Sequence, residues 1–292
     1  LGSAWTAAAG PDQEHQGRLV VFEYFDSTCA TCVEAGEALD RVALEYEEAG
    51  RPVVFIEYAS SDNMGNRLDR WYQACPDWRR CYLPLELVDS GWRWSCGPKN
   101  HRAIYLGLVQ EALGNPAGAD LTAHYARSGS TLDVQVQVVN RSGRVLGPDN
   151  QAALNVIVYE KVKVMNTSRF ARAAIEVPLE APLPDGSLGD YRIELPAPAV
   201  ARWDRAVVVA LLDHRPDPSS EHRESLQAAI AAEGLPATAT PPDSPTTLAT
   251  ATATPSPTAT ATAGPSPTAT STPVWLAPPR FVPLVIRSSR SR

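Results

Sequence analysis

Hydrophobic positions along this chain follow two rhythms, one in each half. Residues 18–25 form a near-continuous apolar, β-prone run broken by Glu23, as expected for a strand covered on both faces. Residues 52–58 repeat it. Between the two, Ala35, Leu39, Val42 and Tyr46 recur at helical spacing, and Gly50 with Pro52 just beyond stops the helix. Strand, helix, strand in that order predicts a parallel pair joined by a right-handed crossover. Residues 62–80 read as a polar loop and a helix around Leu68, Trp71 and Tyr72. Residues 85–88, the turn Asp89-Ser90-Gly91 and residues 92–94 read as a hairpin. Gly97-Pro98 then opens a helix through Ile104, Leu108 and Ala112, which Gly114-Asn115-Pro116 ends.

Beyond about residue 118 the period drops to two. Leu132, Val134, Val136 and Val138 alternate with Asp133, Gln135 and Gln137, which makes a strand with one wet face. Residues 154–159, 173–177, 191–195 and 206–212 continue the series with turn residues between them and no helical pattern. Several short strands of this kind predict a β-sandwich. No catalytic grouping is visible in it.

Composition then alters the picture at the C-terminal end. Residues 236–273 hold nine prolines and thirteen threonines, with Asp243 as the single charge and Leu248 as the single large apolar side chain. Such a segment buries too little to offset its ordering entropy and is expected to act as an extended, semi-rigid spacer, either bare or glycosylated. Residues 274–286 are apolar but carry three prolines and Arg280, followed by Arg287, Arg290 and Arg292. They are too short and too broken to cross a membrane and read as a tail for docking to the cell envelope. The chain opens on Leu1 rather than Met, as in a fragment or a processed form, and Ala7-Ala8-Ala9 fits the remnant of a cleavage region. The net charge of −7 over 292 residues gives no basic field, so nucleic acid is not an expected partner.

One motif carries chemistry. Cys29-Ala30-Thr31-Cys32 follows a buried strand and opens a helix. Unpaired amides and the helix dipole at that point favour an anion, which lowers a thiol pKa and makes Cys29 the attacking thiolate. Cys32, one turn on, is expected to be more buried and to resolve a mixed disulfide.

In residues 21–32 the sequence resembles the thioredoxin-like superfamily, whose pattern there is an apolar strand, a buried acid, two aromatics, a short loop and C-x-x-C. The resemblance implies that Glu23 is the buried acid that takes the proton from Cys32; the alternative is a surface carboxylate at a strand edge. It also implies a cis-proline facing the cysteines. Leu83-Pro84, entering 85–88, fits that place, against an ordinary trans proline opening an edge strand. The sequence departs from the family in having Ala-Thr between the cysteines, Thr28 before them, and an insertion around 62–81, which leaves the redox potential and direction open. Residues 206–213 followed by Ser225-Leu226-Gln227-Ala228-Ala229 are similar to the end of the immunoglobulin-like sandwich that certain secreted bacterial proteins join to a thioredoxin-like domain.

The expected fold class is therefore an α/β thioredoxin-like domain plus an all-β immunoglobulin-like sandwich, with a disordered Thr/Pro-rich C-terminal stalk. The expected boundaries are 1–16 for a disordered N-terminal segment, 17–116 and 117–231 for the two domains, 232–273 for the linker and 274–292 for the tail. Cys75 and Cys81 are spaced for a disulfide inside the insertion, but Cys96 could pair with either. A zinc site from Cys29, Cys32 and two of these three is the weaker alternative, because the second spacing is irregular. Neither metal nor cofactor is expected. The histidines, His15, His101, His124, His214 and His222, read as surface or loop residues. Trp71, Trp78, Trp92 and Trp94 are placed either to line a groove or to pack.

Five cysteines and the spacer suggest an oxidising, extracytoplasmic location, secreted or at the cell surface. The expected function is thiol–disulfide exchange with protein thiols and disulfides as substrates and an unidentified electron donor or acceptor. The alternative is a surface binding or adhesion protein in which 29–32 is a permanent structural bridge.

Overall fold

The computed structural model describes residues 17–235, except 27–28, 59–65, 76–81, 98–99, 165 and 201. The expected N-terminal segment up to residue 16, the spacer from residue 236 on and the tail lie outside the described residues, as do Cys81, Trp78 and His15; the first residues given to the spacer, Ala232–Glu233, instead form a short strand.

Strand β1 (Val20–Phe25) and strand β2 (Val53–Tyr58) are buried at every position and pair in parallel, Val20 opposite Val53 and Phe25 opposite Tyr58. Both faces of these strands are covered, which is why their sequences barely alternate. Helix α1 (Ala30–Glu48) connects them, burying Ala35, Leu39, Val42 and Tyr46 as the spacing predicts. After helix α2 (Arg67–Ala74), strand β3 (Leu85–Val88) runs antiparallel to β1 and strand β4 (Arg93–Cys96) antiparallel to β3, with a 3-10 turn at Asp89–Gly91 between them. Helix α3 (His101–Leu113) joins α1 over one face of this sheet. Val20, Phe22 and Tyr24 look toward that face, whereas Val21 and Phe25 belong to the core on the other side.

The second half is all β among its described regular elements except for short 3-10 turns. Strands β5 (Ala119–Ser128), β6 (Thr131–Asn140) and β9 (Leu188–Pro196), with the two-residue β12 (Ala232–Glu233), make a four-stranded sheet in the order β12-β5-β6-β9. It packs on strands β7 (Ala153–Glu160), β10 (Ala206–His214) and β11 (Glu224–Ile230) through a core that includes Leu121, Val134, Val136, Leu154, Val156 and Ala210. Strand β5, not named in the sequence reading, also alternates: Ala119, Leu121, Ala123 and Tyr125 line the buried face and Asp120, Thr122 and His124 the other, but the two alanines leave the buried face only weakly apolar.

The larger sheet does not stop at the boundary between the halves. Its order is β11-β10-β7-β8-β2-β1-β3-β4, where β8 is Phe170–Pro178. The join is one parallel bridge, Glu57 opposite Phe170, with the Glu57 amide donating to the Arg169 carbonyl at 3.0 Å. Periodicity marks strands but does not reveal which strands lie side by side, so this continuation has no sequence signal. The close approach is visible at Gly36 in α1, where a Cβ would sit 3.0 Å from the Asn166 carbonyl oxygen. Two histidines also differ from expectation. His101 opens α3 and His214 ends β10, and both are buried.

A buried ionic cluster spans the same boundary. Arg67 of α2 donates from Nε to Glu23 Oε1 at 2.8 Å and from Nη2 to Glu23 Oε2 at 2.5 Å. Its Nη1 reaches Asn155 Oδ1 of β7 at 3.1 Å and Asp213 Oδ2 of β10 at 3.4 Å. Arg70, one turn on, donates to Asp213 at 2.9 Å and to Glu176 of β8. The side chains of Arg67, Glu23 and Asp213 are all fully buried. Burial alone would push the Asp213 carboxyl up, but Arg70, Arg67 and Arg223 outweigh it and hold the group below its ordinary range.

Removing one partner from such a cluster leaves an uncompensated buried charge, which costs about 3–5 kcal/mol. Arg67→Met, which strands the Glu23 carboxylate while Asp213 keeps Arg70 and Arg223, is expected to lower the unfolding free energy by about that amount. Urea unfolding at neutral pH checks this, and a loss below about 1 kcal/mol contradicts it.

Candidate functional site

The disulfide site is built where β1 gives way to α1. The Asp26 amide donates to the Tyr58 carbonyl at 2.9 Å, holding the exit of β1 against β2. Cys29 is the N-cap of α1, with extended backbone (φ −75°, ψ 149°), and its Sγ accepts from the Cys32 amide at 3.1 Å. The Cys29 carbonyl also receives the amides of Cys32 and Val33. A sulfur here takes the place of the oxygen that usually caps a helix, among amides that lack partners within the helix. Cys29 and Cys32 are joined in a disulfide, with Cα atoms 5.1 Å apart. Cys29 is half-buried and Cys32 fully buried, so attack from outside is directed to the first sulfur.

The Leu83–Pro84 bond is cis, and the Leu83 carbonyl oxygen lies 4.0 Å from Cys29 Sγ. A disulfide sulfur carries no hydrogen, so this is a contact and not a hydrogen bond. The structure thus brings Cys29, Cys32 and the Leu83–Pro84 peptide together. Val33 and Tyr82, their sequence neighbours, expose apolar surface beside them.

Glu23 is placed differently. Arg67 holds both of its oxygens, and the Tyr58 hydroxyl donates to Oε1 at 2.9 Å. It shares the Val21 and Phe25 side of β1, opposite to the side that α1 covers. Its surroundings therefore offer no support for a proton relay to Cys32. The side chain is committed to Arg67 of α2.

The α1 side carries other acids. Glu86 of β3 stands opposite Tyr24 in the strand pairing, and the Tyr105 hydroxyl donates to its Oε1 at 2.9 Å. The Tyr24 hydroxyl donates to the Cys32 carbonyl at 3.0 Å. Burial pushes the Glu86 carboxyl up to about 8, against hydrogen bonds from Tyr105 and Ser95. Burial, and then the charges of Asp26, Glu86 and Glu57, hold the Tyr24 hydroxyl above its ordinary value. The sequence does hold a signal for Glu86: it is a lone acid in a four-residue apolar strand, two residues after Pro84.

Cys75, at the C-cap of α2, is disulfide-bonded, and its expected partner Cys81 lies outside the described residues. Cys96 is a half-buried thiol at the end of β4. Among the described residues, no group of three or more His, Cys, Asp and Glu side chains is placed to hold a metal ion, and no helix is long and apolar enough to cross a membrane. Trp71 stacks on Tyr72, Trp92 packs at the edge of the α1 core, and Trp94 is partly exposed.

No protein family and no curated protein matches the chain. Among solved structures, HBP35 of Porphyromonas gingivalis superposes with a TM-score of 0.53 at 13% identity, over 79% of this chain and 81% of that one. At that identity the likeness concerns the fold alone. A domain of the outer membrane lipoprotein Omp28 from the same organism matches with a TM-score of 0.29 at 14% identity, over 40% of this chain and 88% of that one. Spo0M, a sporulation control protein from Bacillus subtilis, reaches 0.26 at 9% identity, over 40% and 50%. The last two superpose too loosely to carry an argument.

The raised carboxyls make a pH prediction. Glu86 titrates near 8 in the folded chain, and Glu57, raised by burial and by Asp40, near 7. An unfolded glutamate releases its proton near 4.3. Between those values the folded state binds more protons, so stability falls as pH rises from about 4 to about 8. Glu86→Gln, which mimics the protonated acid, is expected to flatten that decline and to unfold at a higher temperature than the parent at about pH 9, with little difference at about pH 4. Melting curves across this range check it, and parallel pH profiles for the two proteins contradict it.

Proposed function

We propose that this chain is an extracytoplasmic thiol–disulfide oxidoreductase. The carrying observation is Cys29 at the cap of α1, half-exposed, receiving the Cys32 amide and touching the Leu83 carbonyl, with its disulfide partner buried behind it. The order β2-β1-β3-β4, with α1 and α3 on one face and the α2 arginines reaching the other, supports a thioredoxin-like reading of the first half. The two packed sheets of the second half support an immunoglobulin-like one. Disulfide-bonded Cys75 and the Thr/Pro-rich spacer support a location outside the cytoplasm.

In the reducing direction, the Cys29 thiolate attacks a client disulfide, forming one S–S bond and releasing one client thiolate. Cys32 then loses its proton and attacks Cys29, which releases the second client thiolate and restores the Cys29–Cys32 bond. Two electrons pass to the client, and the reverse sequence oxidises it. The N-terminal amides of α1 stabilise the Cys29 thiolate. In this reading Asp26, or Glu86 in its ionised form, takes the proton from Cys32 in place of Glu23. Val33 and Tyr82 offer the client an apolar surface.

The second reading, a binding or adhesion scaffold with a permanent 29–32 bridge, is favoured by the way the sheet and the Arg67 cluster lock the two halves together.

A reduced Cys32→Ser variant given oxidised glutathione at neutral pH is expected to accumulate a mixed disulfide at Cys29, seen by peptide mass mapping, whereas Cys29→Ser forms none at position 32. A Cys29 that stays unmodified under these conditions contradicts the catalytic reading.

A further inference from the structure

Strand β9 ends the four-stranded sheet on one side, and among the described residues it has no neighbour beyond it. At nine residues it is the longest of the rim strands: β11 has seven, β4 four and β12 two. β11 is also partly covered, since the Leu226 carbonyl receives the Gly118 amide. An open rim presents unpaired amides and carbonyls that another strand can extend.

The ladder between β6 and β9 fixes which groups face outward. The Ala197 amide donates to the Ser130 carbonyl at 2.7 Å and the Asn140 amide to the Ser187 carbonyl at 3.1 Å, so the odd-numbered residues of β9 bond to β6. The amides and carbonyls of Leu188, Asp190, Arg192 and Glu194 therefore point away from the sheet. Pro196 continues that series, where it has no N–H to lose. These residues are all exposed.

Asp190, Arg192 and Glu194 stand in a row on the wet face. Arg192 Nε donates to Asp133 Oδ2 of β6 at 3.0 Å, and Gln135 of β6 donates to Asp190 at 3.3 Å, but the Arg192 side chain stays 73% exposed. On the other face Tyr191 packs against the sandwich core, with its ring so close over Gly189 that a Cβ there would sit 2.6 Å from it.

We propose that β9 pairs with β9 of a second copy of this chain, antiparallel and about a two-fold axis at Tyr191, so that the two small sheets join into one. In this register Asp190 stands opposite Arg192 of the other copy and Leu188 opposite Glu194, and every outward amide and carbonyl from 188 to 194 is matched. The interface is isologous, so the opposite charges meet twice. A pairing centred on Asp190 or on Arg192 sets that residue against itself, with like charges opposed. One centred on Ile193 sets Asp190 against Pro196, which has no amide to give. In the register at Tyr191, Gly189 faces Ile193 of the other copy and leaves room for it. The pairing is separate from the disulfide and does not depend on the redox reading.

Sedimentation velocity of the full oxidised chain at low salt, over about 1–300 μM, tests this. A monomer–dimer equilibrium with its midpoint in that range is the expected result. Asp190→Arg and Arg192→Asp each oppose like charges twice and are expected to weaken association about tenfold or more. Mixed in equal amounts, the two variants restore both opposite pairs and are expected to associate at least as tightly as the parent. Glu194→Pro removes an outward amide without breaking the ladder to β6, keeps Asp190 and Arg192, and is expected to weaken the dimer as well. Circular dichroism shows which variants keep the fold, and the mixture serves as a check on both charge variants. The proposal is overturned if the parent stays monomeric across the range, if the folded charge variants associate as the parent does, or if their mixture stays monomeric.

Discussion

Two arginines on one short helix hold this protein together. Arg67 and Arg70 of α2 are buried between β1, on one side, and β7, β8 and β10, on the other; Arg67 is matched by carboxylates from both halves, Glu23 and Asp213, and Arg70 by Asp213 and Glu176 of the second half. Buried ion pairs add little net stability compared with well-packed apolar groups, but breaking one is expensive. Their effect is to specify an arrangement: Glu23, Asp213 and Glu176 must all converge on α2. Ser90 and Asn155 complete the hydrogen bonding of the Arg67 guanidinium. Around this cluster the apolar sides of both halves merge, with Val21, Ile56 and Leu85 in one core with Ile157, Leu211 and Ala228.

That constraint also shapes the disulfide site. By engaging Glu23 fully, Arg67 ties the acid to one face of the sheet, while α1, Tyr24 and Glu86 occupy the other. Charge chemistry on one face thus serves assembly, and the opposite face keeps a buried carboxyl, Glu86, that burial pushes up to about 8. A second tie, Arg169 bonded to Glu47 and Asp40 of α1, holds the helix that carries both cysteines against the start of β8.

Much of the first half was legible in the sequence for local reasons. The uninterrupted apolar runs of β1 and β2, the helical spacing in α1 and the Gly50 stop are properties of neighbouring residues, and so is the placing of Cys29 at a helix start. The Leu83-Pro84 pair was legible through resemblance. What escaped was non-local. Nothing near Glu23 announces Arg67, 44 residues away. A single bridge between Glu57 and Phe170 leaves no periodic trace, and the carbonyl that Gly36 accommodates belongs to a residue far along the chain. Glu86 was in view as part of a strand, but only its fully buried environment and the Tyr105 hydroxyl distinguish it from an edge carboxylate. His214 was read as a surface residue because polarity alone does not show that the end of β10 is covered.

The central claim is that the bridge between Cys29 and Cys32 is a working redox couple and not a staple. The sulfur at the helix cap favours the dithiol form by stabilising the Cys29 thiolate, which makes the disulfide easier to reduce. Equilibration of the pair against glutathione or dithiothreitol buffers, read by mass spectrometry of the alkylated 29–32 peptide, gives its reduction potential. The account predicts a value between roughly −270 and −120 mV, where exchange catalysts lie. A potential below about −300 mV, typical of structural bridges, contradicts it.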